Sequence, residues 1–87
     1  MTDKKIDAML PAMRIAKIVR ETAGLTAWKM HQRMGKKSVQ AYLSLERSAK
    51  RISLIDFYRL EDVWVEEGCG SREEFHTLAR KTAKKIT

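Results

Sequence analysis

Residues 24–46 read GLTAWKMHQRMGKKSVQAYLSLE, and this stretch divides into two short helical patterns. Glycine can adopt the left-handed conformation that reverses a chain directly after a helix, and Gly35 stands where the first pattern ends. Thr26 is suited to cap that pattern, because its hydroxyl can accept from the free N–H groups of the first turn. The stretch therefore predicts one helix over residues 26–34 and another over residues 38–46, which is the outline of a helix-turn-helix.

The second of these helices is expected to have one apolar side and one polar side. Four residues share the inner side at helical spacing: Val39, Tyr42, Leu43 and Glu46. The residues expected to point outward are Gln40, Ala41, Ser44 and Arg47. One side can therefore pack on a core while the other side remains available to a ligand.

At these residues the chain resembles the lambda-repressor/Cro-like (XRE-type) helix-turn-helix DNA-binding family. In that family a G-L-(S/T)-x-x-x-hydrophobic-A-x-x-hydrophobic-G run precedes a recognition helix that ends in hydrophobic-Glu. The matching positions are Gly24, Leu25, Thr26, Met30, Met34, Gly35, Tyr42, Leu45 and Glu46. The chain departs from the pattern at Ala27, His31 and Lys36, and an extra residue before Glu46 leaves the register of the recognition helix open by one position. The resemblance covers roughly residues 14–64 and implies an all-α, five-helix lambda-repressor-like helix-turn-helix domain.

Three segments are expected along the chain. Residues 1–8 are predicted to be a flexible N-terminus, residues 9–67 to form the helix-turn-helix core, and residues 71–87 to form a C-terminal helix with a basic tail. The first helix is predicted to start near Met9, with Pro11 in its first turn, where a proline is tolerated.

Serine residues mark the predicted start of the last two helices. Ser53 is placed to cap a fourth helix from Leu54 to about Glu67. Ser71 and Glu74 have the spacing of a capping box, so a fifth helix is expected to begin there. That helix could complete the core of the monomer or pair with its twin across a two-fold axis.

Length and composition favour a small binding domain rather than an enzyme. The 87 residues suit a single domain, and 44% of them are hydrophobic, which is enough for a modest core. A single cysteine, Cys69, excludes an intramolecular disulfide, and no apolar run approaches the roughly 20 residues that span a bilayer. The motifs of metalloproteases, paired-cysteine sites, phosphate-binding glycine loops and nucleophilic serines are not found. We therefore expect a cytoplasmic protein with no catalytic, metal or cofactor site.

The positive charge is concentrated on the predicted helix-turn-helix. The net charge is +7, and residues 22–53 hold seven Lys and Arg against only Glu46, whereas residues 54–76 hold two against seven acidic residues. A polyanion bound to the basic segment would gain free energy by counterion release. The alternative is that these charges form an ordinary solvated face. We expect double-stranded DNA as the partner.

In this geometry the N-terminal half of the recognition helix enters the major groove. The expected base contacts are Ser38, Gln40, Ala41 and Ser44. Gln40 is favoured among them because its amide can both donate to and accept from adenine. The expected phosphate contacts are Lys29, Arg33, Lys36, Lys37, Arg47, Lys50 and Arg51. The alternative for the polar residues is ordinary exposed helix surface.

Two ring side chains of the preceding helix are expected to be at least partly inside. Trp28 has methionine neighbours, which favours core or partial burial, although an indole there could also pack against a nucleic-acid backbone. His31 occupies the helix-packing position of the family motif, so a packed or hydrogen-bonded histidine is expected rather than a metal ligand.

The predicted fourth helix carries more apolar surface than one packed stripe needs, so part of it is expected to meet a second subunit or another protein. The residues assigned to this dimer or partner surface are Phe57, Val63, Trp64, Phe75 and Leu78. The acidic residues of the same helix are expected to point away from DNA: Asp56, Glu61, Asp62, Glu66 and Glu67.

The first functional hypothesis is a sequence-specific, dimeric DNA-binding transcriptional regulator, such as a small repressor of a phage, plasmid or bacterium. The alternative is a protein-interaction module on the same scaffold, such as the antitoxin of a toxin–antitoxin pair or an anti-repressor partner. An RNA-binding accessory protein is a third possibility, and the scarcity of exposed aromatic pairs for stacking unpaired bases counts against it.

Overall fold

The computed structural model of the chain describes residues 9–11, 14–48 and 51–84. The helices among them are α1 (Ile15–Ala23), α2 (Ala27–Arg33), α3 (Val39–Ser48), α4 (Leu54–Glu66) and α5 (Arg72–Lys84). Two three-residue strands, β1 (Met9–Pro11) and β2 (Arg51–Ser53), pair antiparallel with Leu10 opposite Ile52. The described part of the chain is therefore all-α apart from this short ribbon. The segments predicted for residues 1–8 and 85–87 lie outside the described residues.

Short polar side chains fix where four of the helices begin. In each case a Ser or Thr hydroxyl accepts a hydrogen bond, 3.1 Å long, from the backbone N–H three residues later; the pairs are Thr26 and Lys29, Ser38 and Ala41, Ser53 and Asp56, and Ser71 and Glu74. At α5 the carboxylate of Glu74 also accepts from the backbone N–H of Ser71 at 2.7 Å, which completes the capping box. The predicted caps at Thr26, Ser53 and Ser71 are confirmed.

The core lies where α1, α2, α3, β2, α4 and α5 meet. Its buried hydrophobic residues are Ile15, Ala16, Val19, Met30, Met34, Tyr42, Ile52, Phe57, Leu60, Val63, Trp64, Phe75 and Ala79. Because α5 packs on both α4 and α1, its Phe75 ring lies 5.0 Å from the Phe57 ring and 6.1 Å from the Trp64 ring, measured between centroids. The fifth helix thus completes the monomer's core.

This packing corrects the predicted dimer or partner surface. Phe57, Val63, Trp64 and Phe75 are all buried within the chain, and Leu78 is half-buried against the same cluster. The sequence pattern of α4 predicts an intermolecular surface at these residues, but α5 of the same chain packs over them.

The N-terminal part of the predicted first helix is also different. Met9–Pro11 is a strand rather than a helical turn, because it pairs with β2, whose Ile52 is fully buried. Proline lacks an N–H and has a fixed φ, and both properties suit the end of an edge strand. After Glu46 the helix α3 continues to Ser48, and the described residues resume with the strand β2.

Glycines with positive φ reverse the chain at the ends of helices, and one of them is Gly35, as the sequence predicts. Gly24 ends α1 with φ +70°, and Gly35 has φ +67° in the turn between α2 and α3. The guanidinium of Arg59, on α4, lies over this second turn and donates from Nη1 to the carbonyl oxygen of Met34 at 2.6 Å. The α2–α3 turn is therefore held to α4 by a side-chain hydrogen bond.

We expect Gly35→Ala to destabilise the fold by about 1–2 kcal/mol, because an L-residue is strained in the left-handed region. The added Cβ would also lie 3.1 Å from Arg59 Nη1, so the arginine must shift. Urea unfolding followed by circular dichroism would measure the loss. The control is Gly68→Ala, where φ is +74° and nothing lies within 4 Å of the added Cβ. If both variants lose the same stability, the Arg59 contact contributes nothing.

Candidate nucleic-acid interface

The outer face of α3 is composed as the sequence predicts. All four expected base-contact residues are exposed: Ser38, Gln40, Ala41 and Ser44. On the inner side Tyr42 and Glu46 are buried, and Val39 and Leu43 are half-buried. Gln40 and Ser44 are one turn apart on the exposed side, while the Ser38 hydroxyl caps the helix. The candidate reading surface is therefore available to a ligand.

A buried polar cluster sets the orientation of this helix against α1. Arg20 donates from Nε to Glu46 Oε2 at 2.6 Å and from Nη2 to Oε1 at 3.2 Å. The Tyr42 hydroxyl donates to Glu46 Oε2 at 2.5 Å. The sequence pattern does not indicate this role for Arg20, which lies four residues before the motif, whereas Glu46 is its last residue. The bidentate pairing fixes the rotation of α3 about its own axis, and with it the residues that face outward.

The same cluster perturbs the Glu46 carboxyl. Burial alone would raise the pKa of Glu46, but hydrogen bonds from Arg20 and Tyr42, with the nearby charges of Arg20 and Lys17, leave that pKa below its ordinary value. The ionised carboxylate is thus the stable form in the folded protein. Its negative charge is offset by the Arg20 guanidinium.

Beside this cluster lies a small basic cleft of about 220 Å³, lined by Arg14, Lys17, Glu46 and Arg47. Arg14 precedes α1 with φ +57°, the only positive φ at a non-glycine among the described residues, and Arg47 lies in the last turn of α3. No ion pair joins Arg14, Lys17 or Arg47 to another described residue. Three cations therefore converge on one concavity, and a phosphate could be held there.

Of these three residues, only Arg47 is among the phosphate contacts predicted from the sequence. A signal for the other two was present, because Arg14 and Lys17 are three residues apart and project from the same side of a helix start. What the sequence did not indicate is that this end of α1 lies against the last turn of α3. The cleft forms only through that packing.

The predicted phosphate contacts divide into paired and unpaired side chains. Arg33 donates to Glu67 and Glu66 at 2.5 Å each, and Lys36 Nζ lies 3.1 Å from a carboxylate oxygen of Asp56. This corrects one expectation, because Arg33 and Lys36 pair with these carboxylates rather than standing free for phosphate. That the acidic residues point away from DNA stays a prediction.

Most of the remaining predicted phosphate contacts have side chains that are exposed and not engaged in an ion pair. Lys29, Lys37, Arg47 and Arg51 are exposed, and none forms an ion pair with any residue in the described part of the chain. Lys50 lies outside the described residues. Among the predicted phosphate contacts, the unpaired positive charge is thus found at the start of α2, before α3, in the last turn of α3 and at the start of β2.

The two ring residues of α2 occupy different environments. Trp28 is 58% exposed, which corrects the predicted burial, because Met30, His31 and Met34 occupy the inner side of the helix and Trp28 lies off that side. Its ring centroid is 4.6 Å from that of His31. His31 is buried, and its Nδ1–H donates to the carbonyl oxygen of Lys36 at 3.2 Å, so the predicted packed histidine is confirmed.

No family model, no curated protein and no solved structure matches this chain. Within residues 9–11, 14–48 and 51–84, no helix has both the length and the apolar character that crossing a bilayer requires. The same residues contain no group of three His, Cys, Asp or Glu side chains placed to bind a metal ion.

We expect Glu46→Gln to lower the free energy of unfolding by about 1–3 kcal/mol near pH 7, because the charge-assisted bonds from Arg20 are lost. A carboxyl with a lowered folded pKa stabilises the fold above its unfolded pKa, ordinarily 4.5, and this contribution disappears as the pH falls through the folded pKa. The difference between wild type and variant should therefore shrink on acidification.

Urea unfolding at a series of pH values from about 7 down to 3 would measure this difference. The exposed Glu73 provides the control, since Glu73→Gln should differ little from wild type across the range. A Glu46→Gln deficit that stays constant with pH would contradict an ionised, paired carboxylate.

Proposed function

We propose that this protein is a cytoplasmic, sequence-specific transcriptional regulator that binds double-stranded DNA through a lambda-repressor-like helix-turn-helix. In this proposal α2 and α3 are its two helices, and α3 is the recognition helix. The protein acts as a small homodimeric repressor that occupies a pseudo-palindromic operator. The observation that carries the proposal is the exposed face of α3, which bears no acidic side chain and is bordered by unpaired cations.

The charge arrangement supports this function over a general basic surface. Residues 22–53 contain one acidic residue, Glu46, and its carboxylate is buried against Arg20. A DNA backbone approaching α3 therefore meets no exposed negative charge from that segment. The basic side chains that are satisfied internally, Arg33 and Lys36, lie toward α4.

Base recognition is assigned to the first two turns of α3, which the major groove of B-DNA is wide enough to admit. The Gln40 amide can pair with the N6 and N7 edge of adenine in a bidentate manner. Ser44 extends the reading surface by one turn, and the methyl group of Ala41 suits contact with a thymine methyl. Ser38 stands at the start of the helix, close to the groove edge.

Phosphate contacts are assigned to the cations that border this surface. Arg14, Lys17 and Arg47 would hold one phosphate group at the basic cleft, while Lys29 and Lys37 would contact the backbone beyond the start of α3. These contacts fix the position of the protein on DNA without reading sequence. A two-fold dimer would place two such surfaces about 34 Å apart, one helical turn of DNA.

The structure does not support the observation on which the protein-interaction alternative was based. That alternative rested on apolar side chains around Phe57 and Trp64, and both are buried in the core. We therefore propose the DNA-binding function alone.

The function is tested by selection from a random duplex DNA pool, followed by sequencing, with the wild-type chain at two salt concentrations. We expect a pseudo-palindromic motif to be enriched. Gln40→Ala should relax the preference at one position of each half-site, costing about 1–3 kcal/mol of discrimination there. Enrichment of no motif would contradict the proposal, and an unchanged motif with Gln40→Ala would contradict the register assigned to α3.

Arg47→Ala should weaken binding to all sequences and reduce the slope of log affinity against log salt by about 0.9, the share of one phosphate contact. Fluorescence anisotropy with a labelled duplex at several salt concentrations would measure the slope. Arg80→Ala is the matched control, because Arg80 is an exposed arginine on α5 that donates from Nη2 to the Thr77 hydroxyl at 3.4 Å. Equal slopes for the two variants would remove Arg47 from the DNA contacts.

A further inference from the structure

The exposed strip of α4 carries two large apolar side chains. Ile55 is 63% exposed and Tyr58 is 53% exposed, and Trp28 on α2 is the other large exposed hydrophobic residue in the described part of the chain. Asp62 follows Tyr58 by four residues and is also exposed, so the three lie along one side of the helix. The Asp62 carboxylate lies 3.4 Å from Arg72 Nη1 of α5, an ion pair at the surface of the chain. We call this strip the α4 outer face: Ile55, Tyr58 and Asp62.

Both flanks of this face are already engaged within the chain. On one flank Asp56 pairs with Lys36, and Arg59 donates to the Met34 carbonyl, so that side of α4 holds the α2–α3 turn. The other flank packs on α5 through residues such as Phe57, which contacts Phe75, and Glu61, which binds Arg72 and His76. The α4 outer face lies between these two contacts.

The α4 outer face can pair with the same face of a second copy whose α4 runs in the opposite direction. If two copies of α4 lie antiparallel about a two-fold axis passing between residues 56 and 57, Ile55 of each copy is opposite Tyr58 of the other. The same operation brings Asp62 of each copy toward the N-terminal end of the other α4. Arg51, the first residue of β2, is exposed three residues before Leu54, where that helix begins. In this arrangement Ile55 and Tyr58 meet apolar side chains of the second copy, and Asp62 meets its Arg51.

We propose that the α4 outer face is the surface through which two copies of this chain associate. The apolar anchors form two equivalent Ile–Tyr contacts, as an isologous interface requires. The Arg51 and Asp62 pairs lie at the rim, where exposed charges set orientation more than affinity. The positive end of each α4 dipole adds to the attraction for the incoming Asp62 carboxylate.

The interface is small, so the pairing is weak and depends on concentration. Specific interfaces of standard size bury about 1,600 Å² in total, which is more than two such side chains per copy supply. Binding of both copies to adjacent half-sites would raise their effective concentration and complete the dimer on DNA. In this respect the inference rests on the proposed function, because a pseudo-palindromic site is what uses a two-fold pair.

Self-association is tested on the full chain without DNA, by sedimentation equilibrium from micromolar to millimolar protein. We expect a monomer–dimer equilibrium, and we expect Ile55→Ala and Tyr58→Ala each to weaken it by about tenfold or more. Trp28→Ala is the matched control, since it removes an exposed aromatic ring from another helix and should leave the equilibrium unchanged. Circular dichroism confirms that each variant is folded.

The charged pair gives a second test that does not remove apolar surface. Arg51→Asp and Asp62→Arg should each weaken the homodimer, because like charges then face one another. Mixing the two variants should restore dimerisation, since each mixed pair again sets an arginine opposite an aspartate at both rims. Loss in the single variants without recovery in the mixture would overturn the reversed register.

Other results would overturn the proposal as a whole. A chain that stays monomeric to millimolar concentration, or a dimer that ignores both apolar substitutions, would show that copies do not pair through this face. Residues 1–8 precede Met9, which pairs with Ser53 at the start of α4. If the full chain is monomeric and deleting residues 1–8 produces a dimer sensitive to Tyr58→Ala, that segment is the occupant instead of a second copy.

The failure of this inference can be told from failure of the proposed function. A monomer that binds a single half-site duplex with sequence preference would retain the function and lose the dimer surface. A dimer that behaves as expected but binds no duplex DNA would retain the surface and lose the function.

Discussion

The rest of the structure depends on one buried carboxylate. An ionised Glu46 in the core would be costly unless its oxygens were fully paired, and both are paired, by Arg20 from α1 and by Tyr42 from its own helix. These bonds join two helices at one angle and one rotation. Since Tyr42 and Glu46 are directed inward, Gln40 and Ser44 are necessarily directed outward. The interaction that stabilises the fold therefore also determines which residues a ligand of α3 can meet.

Local features were predictable because their causes lie within a few residues. A serine or threonine three residues before a free N–H, and a glycine at a chain reversal, identify helix ends wherever they occur. Contacts between distant segments were not predictable in the same way. The strands β1 and β2 are about 40 residues apart in sequence, so their pairing depends on the fold of the segment between them. Nothing in Met9–Pro11 alone favours a strand over the start of a helix. Likewise, the apolar excess around Phe57 and Trp64 has the same pattern whether another copy covers it or α5 does.

The candidate site shows the same division between pattern and packing. Helical periodicity alone predicted the outer face of α3, because the direction of a side chain follows from its spacing. Counting charges could not predict which cations remain unpaired, since the partners of Arg33 lie 33 and 34 residues away. Lys36 is similarly bound 20 residues away. The basic cleft was missed for the complementary reason, because Arg14 and Arg47 are far apart in sequence and meet only in the fold.

These pairings also affect how the positive charge is distributed over the surface. Arg33 and Lys36 are paired with carboxylates of α4 and of Glu67, and Arg20 is paired with Glu46, so these three cations are engaged within the chain. Of the cations without such partners, Lys29, Lys37 and those of the basic cleft border the outer face of α3, whereas Arg80 and Lys81 are exposed on α5. Unpaired charge on one side of a small domain orients it before contact, since a polyanion is attracted over about a Debye length. If the net charge of +7 were distributed evenly over the surface, the same polyanion would be attracted equally to every helix.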